Sequence, residues 1–187
     1  MNSTRQAPEP PMGVTPEQLL EGHRLFEERE KRDAMYKVAT RLVEESWGKP
    51  SEVAEGLGVL LLVWNAAHFR HGPLDFDALE KWIAANQAVL NEYRSRNILT
   101  YTSKDDAKIE SLFQDLLEAL KIWERVRGKV KRTPVGVVKA LHLLAPNFFP
   151  LWDKEIAVKY GCDYAKGPLS SSFAEILSVF PTLCASG

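Results

Sequence analysis

Thr133-Pro-Val-Gly-Val-Val-Lys-Ala-Leu-His-Leu-Leu-Ala-Pro-Asn-Phe-Phe-Pro-Leu-Trp-Asp153 is the stretch from which the fold class is read. Thr133 is a helix-capping residue, and Pro134 suits the first helical position, where a missing N–H costs nothing. Val135, Val137, Val138, Ala140, Leu141, Leu143 and Leu144 leave almost no polar face. A helix apolar all round belongs in the middle of a domain. Pro146 stops it. Phe148, Phe149 and Trp152 crowd the loop beyond, and Pro150 stiffens it. Asp153 then stands at the start of a short helix that closes at Gly161, with the residue types of an N-cap and a C-terminal glycine.

Upstream of the stretch, other helix patterns follow one another. Thr15-Pro16-Glu17-Gln18 is a capping box. Met35, Val38, Ala39, Leu42, Val43 and Trp47 form a helical stripe that ends at Gly48 and Pro50. Ser51 is the expected cap of a second central helix, rich in Val53, Leu57, Leu60, Leu61, Val63 and Trp64, running to about Arg70. Asp75 caps another, with Phe76, Leu79, Trp82, Ile83, Leu90 and Tyr93 as its inner face. Ser103 followed by Asp106 resembles a further capping box, opening a helix lined by Ile109, Leu112, Phe113, Leu116, Leu117, Leu120 and Trp123. No strand pattern of useful length is evident. The expectation is an all-α, single compact domain of about seven or eight helices over residues 15–187, preceded by a proline-rich disordered tail over 1–14. A short helix is expected over Ser170 to Phe180, and the apolar end Val-Phe-Pro-Thr-Leu-Cys is expected either to dock on the body or to continue into a longer natural chain.

Composition narrows the function classes. The 187 residues carry a net charge of −1, so any affinity for nucleic acid must be local. Cys162 and Cys184 are too few for a disulfide framework or a structural zinc site, which points to a reducing, cytoplasmic setting. The longest apolar run, Leu57 to Ala67, falls short of the ~20 residues that span a bilayer, so no membrane partner is expected. No cofactor motif is present.

The local charge is found between Trp123 and Thr133. Arg125, Arg127, Lys129, Lys131 and Arg132 occur there, and no acid falls between Arg125 and the helix start at Pro134. They lead into a helix start, with Gly136 one turn in. Free N–H groups, a positive dipole end and several cations make a phosphate site; the alternative is a solvated basic loop. Asp153 is either an N-cap or a carboxylate shielded by aromatic surface, with a raised pKa or an anionic stabilising role. His68 and His71 lie three apart, with Asp75 and Asp77 beyond; two imidazoles without a third ligand fit helix-end groups better than a metal site. His142 is either a hydrogen-bonded core histidine or a neighbour of Asp153. Trp64, Trp82 and Trp123 fit the core, whereas Trp152 lies in the loop beside Asp153.

The order of basic segment, buried helix, loop and aspartate over roughly residues 123–161 resembles the helix-hairpin-helix DNA glycosylases. The resemblance implies duplex DNA as partner and cleavage of a flipped base. It also implies a helix-hairpin-helix-like C-terminal half. Pro134-Val135-Gly136 fall on the hairpin that binds the DNA backbone, and Asp153 on the essential aspartate. Lys139 falls near the lysine that attacks the sugar in bifunctional members, about one residue out of register. Trp152 and His142 would line the base pocket. This chain departs from the family in three respects: Pro134 replaces the first hairpin glycine, Lys139 and Asp153 are closer together, and no iron–sulfur cysteine cluster follows. The stretch is also similar to a motif of bacterial and archaeal helical proteins without assigned activity. The expected function is therefore a DNA-binding, glycosylase-like protein; the alternative is a non-catalytic helical protein–protein interaction module.

Overall fold

A computed structural model describes residues 33–151 except Arg125, together with Glu21, Arg24, Leu25 and Glu28. The expected N-terminal tail, the Thr15 capping box, Trp152, Asp153, both cysteines and the Ser170 helix lie outside the described residues. Within them the chain is all-α apart from one small hairpin. The elements are α1 (Asp33–Glu45), α2 (Pro50–Trp64), α3 (Ala66–Phe69), α4 (Phe76–Arg94), α5 (Asp106–Ala119), β1 (Ile122–Glu124), β2 (Lys129–Lys131) and α6 (Pro134–Leu144).

The two most apolar helices occupy the interior. Val53, Leu57, Leu60 and Leu61 of α2 and Val137, Val138, Leu141 and Leu144 of α6 are fully buried. Burial of one such side chain stabilises by about 1.5–3 kcal/mol before conformational entropy is counted. Helix α1 approaches α2 closely at Gly56, where an added Cβ would lie 3.0 Å from Val43 Cγ2. Beyond α6, Phe148 and Phe149 are completely buried. Their rings lie 4.6 Å and 5.2 Å from that of Tyr93 on α4, offset geometries that suit aromatic quadrupoles. The loop after α6 is thereby anchored to α4.

Cations finish two of the buried helices. Arg94 Nη1 donates to Leu144 O at the end of α6 at 2.9 Å, and Lys139 Nζ donates to Trp64 O at the end of α2 at 3.0 Å. Each supplies a donor to a C-terminal carbonyl and a positive charge to the negative end of the helix dipole. Arg96 does a third job. It grips Asp105 at 2.6 Å and 2.9 Å while its guanidinium lies 4.7 Å over the Phe148 ring.

Several expectations need correction. Lys49, not Ser51, is the N-cap of α2, and Pro50 takes its first position. The helix expected to reach Arg70 ends at Trp64, because Asn65 leaves helical geometry and gives its side chain to α6. The second capping box lies one residue earlier, on Thr102 and Asp105. Phe76 is exposed rather than internal. Helix α5 stops at Ala119, so Trp123 is not part of its stripe. Instead Trp123 sits on β1, in an antiparallel ladder that pairs Ile122 with Lys131, Trp123 with Val130 and Glu124 with Lys129.

Candidate functional site

The start of α6 is closed by its own side chains. Thr133 Oγ1 accepts the Gly136 amide at 3.1 Å and Asn65 Nδ2 at 2.8 Å. Thr133 is only 6% exposed. At Gly136 an added Cβ would lie 2.7 Å from Thr133 Cγ2 and 3.1 Å from Asn65 Nδ2. The glycine therefore admits a buried polar contact between α2 and α6. Its amide donates to the Thr133 hydroxyl.

Lys139 stands one turn further along. Nζ donates to Asn65 Oδ1 at 2.7 Å as well as to Trp64 O, and it lies 5.6 Å over the Trp64 ring. Two oxygens and an aromatic face hold the amino group in place. The described contacts thus make Lys139 a clamp between α6 and the end of α2.

His142 is engaged at both nitrogens. Nδ1 lies 2.8 Å from Phe149 O, and Nε2 lies 2.8 Å from Tyr36 Oη. A carbonyl only accepts, so the proton is assigned to Nδ1, and Nε2 accepts from the tyrosine hydroxyl. Burial holds this imidazole below the ordinary histidine pKa; the bond to Phe149 opposes that shift but is the smaller effect. Tyr36 stacks between His142 and Trp64, with centroids 5.7 Å and 5.9 Å away. Lys139, Trp64, Tyr36 and His142 thus form one continuous array across α6, α2 and α1.

The basic segment divides into two sets. Arg132 Nε is 2.5 Å from Glu118, and Lys131 Nζ is 3.0 Å from Glu124. These pairs hold both carboxyls below the usual carboxylate range, against the opposing effect of desolvation. Arg127 and Lys129, by contrast, are exposed and make no ion pair among the described residues. Arg125 lies outside the described residues, as do Asp153 and Trp152. The structure therefore brings Lys139 and His142 together with Gly136, but puts Arg127 and Lys129 on a separate, protruding hairpin.

Comparison with known proteins finds no match. No family model, no curated protein and no solved structure is similar to the chain at a significant level.

Sequence reasoning missed the most exposed aromatic surface among the described residues. Trp123 is 63% exposed, Val126 is 91% exposed, and Val130 faces Trp123 across the ladder. Beside them is a cleft of about 390 Å³ lined by Pro73, Asp75, Lys121, Ile122, Trp123 and Val130. The available signal was the turn: Gly128, at φ +60°, lies between two short segments, and its amide donates to Glu124 O at 2.9 Å. The hairpin is seated through Gly72, where an added Cβ would meet Trp123 O at 2.9 Å, and through His71 Nδ1, 3.4 Å from Glu124. Among the described residues no group of three or more His, Cys, Asp or Glu could hold a metal ion.

Proposed function

We propose that the chain binds DNA through the β1–β2 hairpin and acts on it in the manner of a glycosylase, with Asp153 as the reactive-site carboxylate. The observation that carries the binding reading is the hairpin itself. An outward-facing tryptophan shares it with Arg127 and Lys129, two exposed cations without ion-pair partners among the described residues. Cations of this kind neutralise phosphates, and aromatic faces receive bases. The contacts of Lys139 favour hydrolysis over attack by a lysine amine. In this reading Asp153 stabilises the positive charge that develops on the sugar as the glycosidic bond breaks, and Lys139 keeps the site in shape.

The test has a binding arm and a chemical arm. Duplex binding should weaken steeply as salt is raised. Base release from damaged duplexes should be lost in Asp153→Asn and retained in Lys139→Gln. Absence of DNA affinity at low salt would sink the binding reading. Release that needs Lys139 but not Asp153 would sink the hydrolytic one. The second reading, a protein-interaction module, is favoured by the apolar trio Trp123, Val126 and Val130, since exposed tryptophan and arginine are common anchors of protein interfaces.

A further inference from the structure

We infer that the cleft beside Trp123 takes an unpaired nucleobase, so that the chain prefers DNA with single-stranded or bulged bases over a continuous duplex. This rests on the DNA-binding reading above and names the kind of DNA. Trp123 offers an accessible ring on the outer face of β1, while its neighbours Ile122 and Glu124 are buried. A truncated Trp123 therefore leaves the core untouched. Val130 extends the apolar wall from the paired strand, and Pro73 adds a further apolar group to the lining. The volume, about 390 Å³, falls in the ~300–1,000 Å³ range of small-ligand pockets. Every base has a π-face that such a wall can stack, whereas a base within a duplex has both faces covered by its neighbours.

Charge complementarity fixes the occupant as a nucleotide strand. Arg127 and Lys129 on the same hairpin supply cations for the phosphates, whereas Lys121 in the cleft wall is paired with Glu118. Asp75 adds an acceptor to the lining. Its Oδ1 accepts the Ala78 amide at 2.9 Å as the cap of α4. A carboxylate accepts from the exocyclic amino groups of cytosine, adenine and guanine and equally from the ring N–H of an unpaired thymine, so the cleft should take any of the four bases.

The experiment is fluorescence anisotropy with the full chain and short labelled oligonucleotides of one mixed sequence: single-stranded, fully paired, and paired with a single-base bulge. The expected result is tighter binding of the single strand and the bulge than of the duplex by about tenfold, which lies within the range for one base stacked on an aromatic side chain. Trp123→Ala should erase that preference, bringing the single strand and the bulge down to the affinity of the duplex, and Trp123→Phe should keep most of it. Arg127→Ala with Lys129→Ala should weaken all three DNAs together. Equal affinity for all DNAs, or a Trp123→Ala protein that still prefers the single strand, overturns the inference while DNA binding stands. Loss of a dimer in sedimentation by Trp123→Ala, with unchanged DNA affinity, overturns it in favour of a contact between copies of the chain. No binding to any DNA removes the inference together with the reading beneath it.

Discussion

Burial depresses the pKa of His142, and this has a definite consequence for stability. Its folded-state pKa lies below the unfolded one, so the unfolded chain takes up the proton first as pH falls. The contribution is whole above the unfolded histidine value of about 6.5 and is lost progressively as pH drops toward the folded pKa. His68 is displaced in the same direction, again chiefly by burial. Urea midpoints should accordingly fall between pH 7.5 and pH 5, and His142→Phe should flatten much of that slope. The same variant should cost about 2 kcal/mol at pH 7.5, since it removes the hydrogen bonds of the ring to Phe149 O and the Tyr36 hydroxyl. A slope unchanged in the variant would place the titration elsewhere. At this scale the sequence was legible where the cause is local. Thr133 and Asp75 cap helices within three residues of themselves, and both were read correctly. Asn65 was not, because its partners Thr133 and Lys139 are brought to it only by the packing of α6 on α2.

Elements with a sustained period were legible, and elements without one were not. Helices α1, α2, α4, α5 and α6 each repeat apolar residues at helical spacing over several turns, and all were expected near their observed positions. The strands are three residues long each, too short to display an alternation that can be told from chance. Trp123 also continues the α5 stripe numerically, so the helical pattern claimed it. What separates the hairpin from α5 is seating on the α3–α4 connection. Gly72 permits that seating by letting Trp123 O approach, with Ile122 Cβ 3.2 Å from where a Cβ would be. Gly72→Ala should therefore loosen the hairpin. Hydrogen exchange should show lost protection of the β1–β2 amides, with a global cost of about 1–3 kcal/mol for the overpacked contact and unchanged protection in α2 and α6. Uniform loss across the molecule would instead mean that the hairpin and the helical core open as one unit.

For the whole molecule, the near-zero net charge limits what the hairpin can do. With 24 basic and 25 acidic residues, there is no overall field to draw in a polyanion, and attraction must come from the hairpin alone. Lys121 and Arg132 are tied to Glu118 and Lys131 to Glu124. Arg127 and Lys129 are the described cations of the hairpin segment that can meet phosphates without breaking an ion pair, and Arg125 is one more cation in the same stretch of sequence. Each neutralised phosphate of a duplex contributes about −0.9 to the slope of log affinity against log salt. Binding through the hairpin as it stands should therefore give a slope between about −2 and about −3, reduced by about 2 in the Arg127→Ala, Lys129→Ala protein. A slope near −5 would show that Lys131 and Arg132 abandon Glu124 and Glu118 on binding. In that case Glu118→Gln, which frees Arg132 and Lys121 in advance, should raise affinity at low salt. A slope near zero with measurable affinity would mean that the contact is apolar, and the exposed Trp123, Val126 and Val130 surface would then be the one to follow to a protein partner.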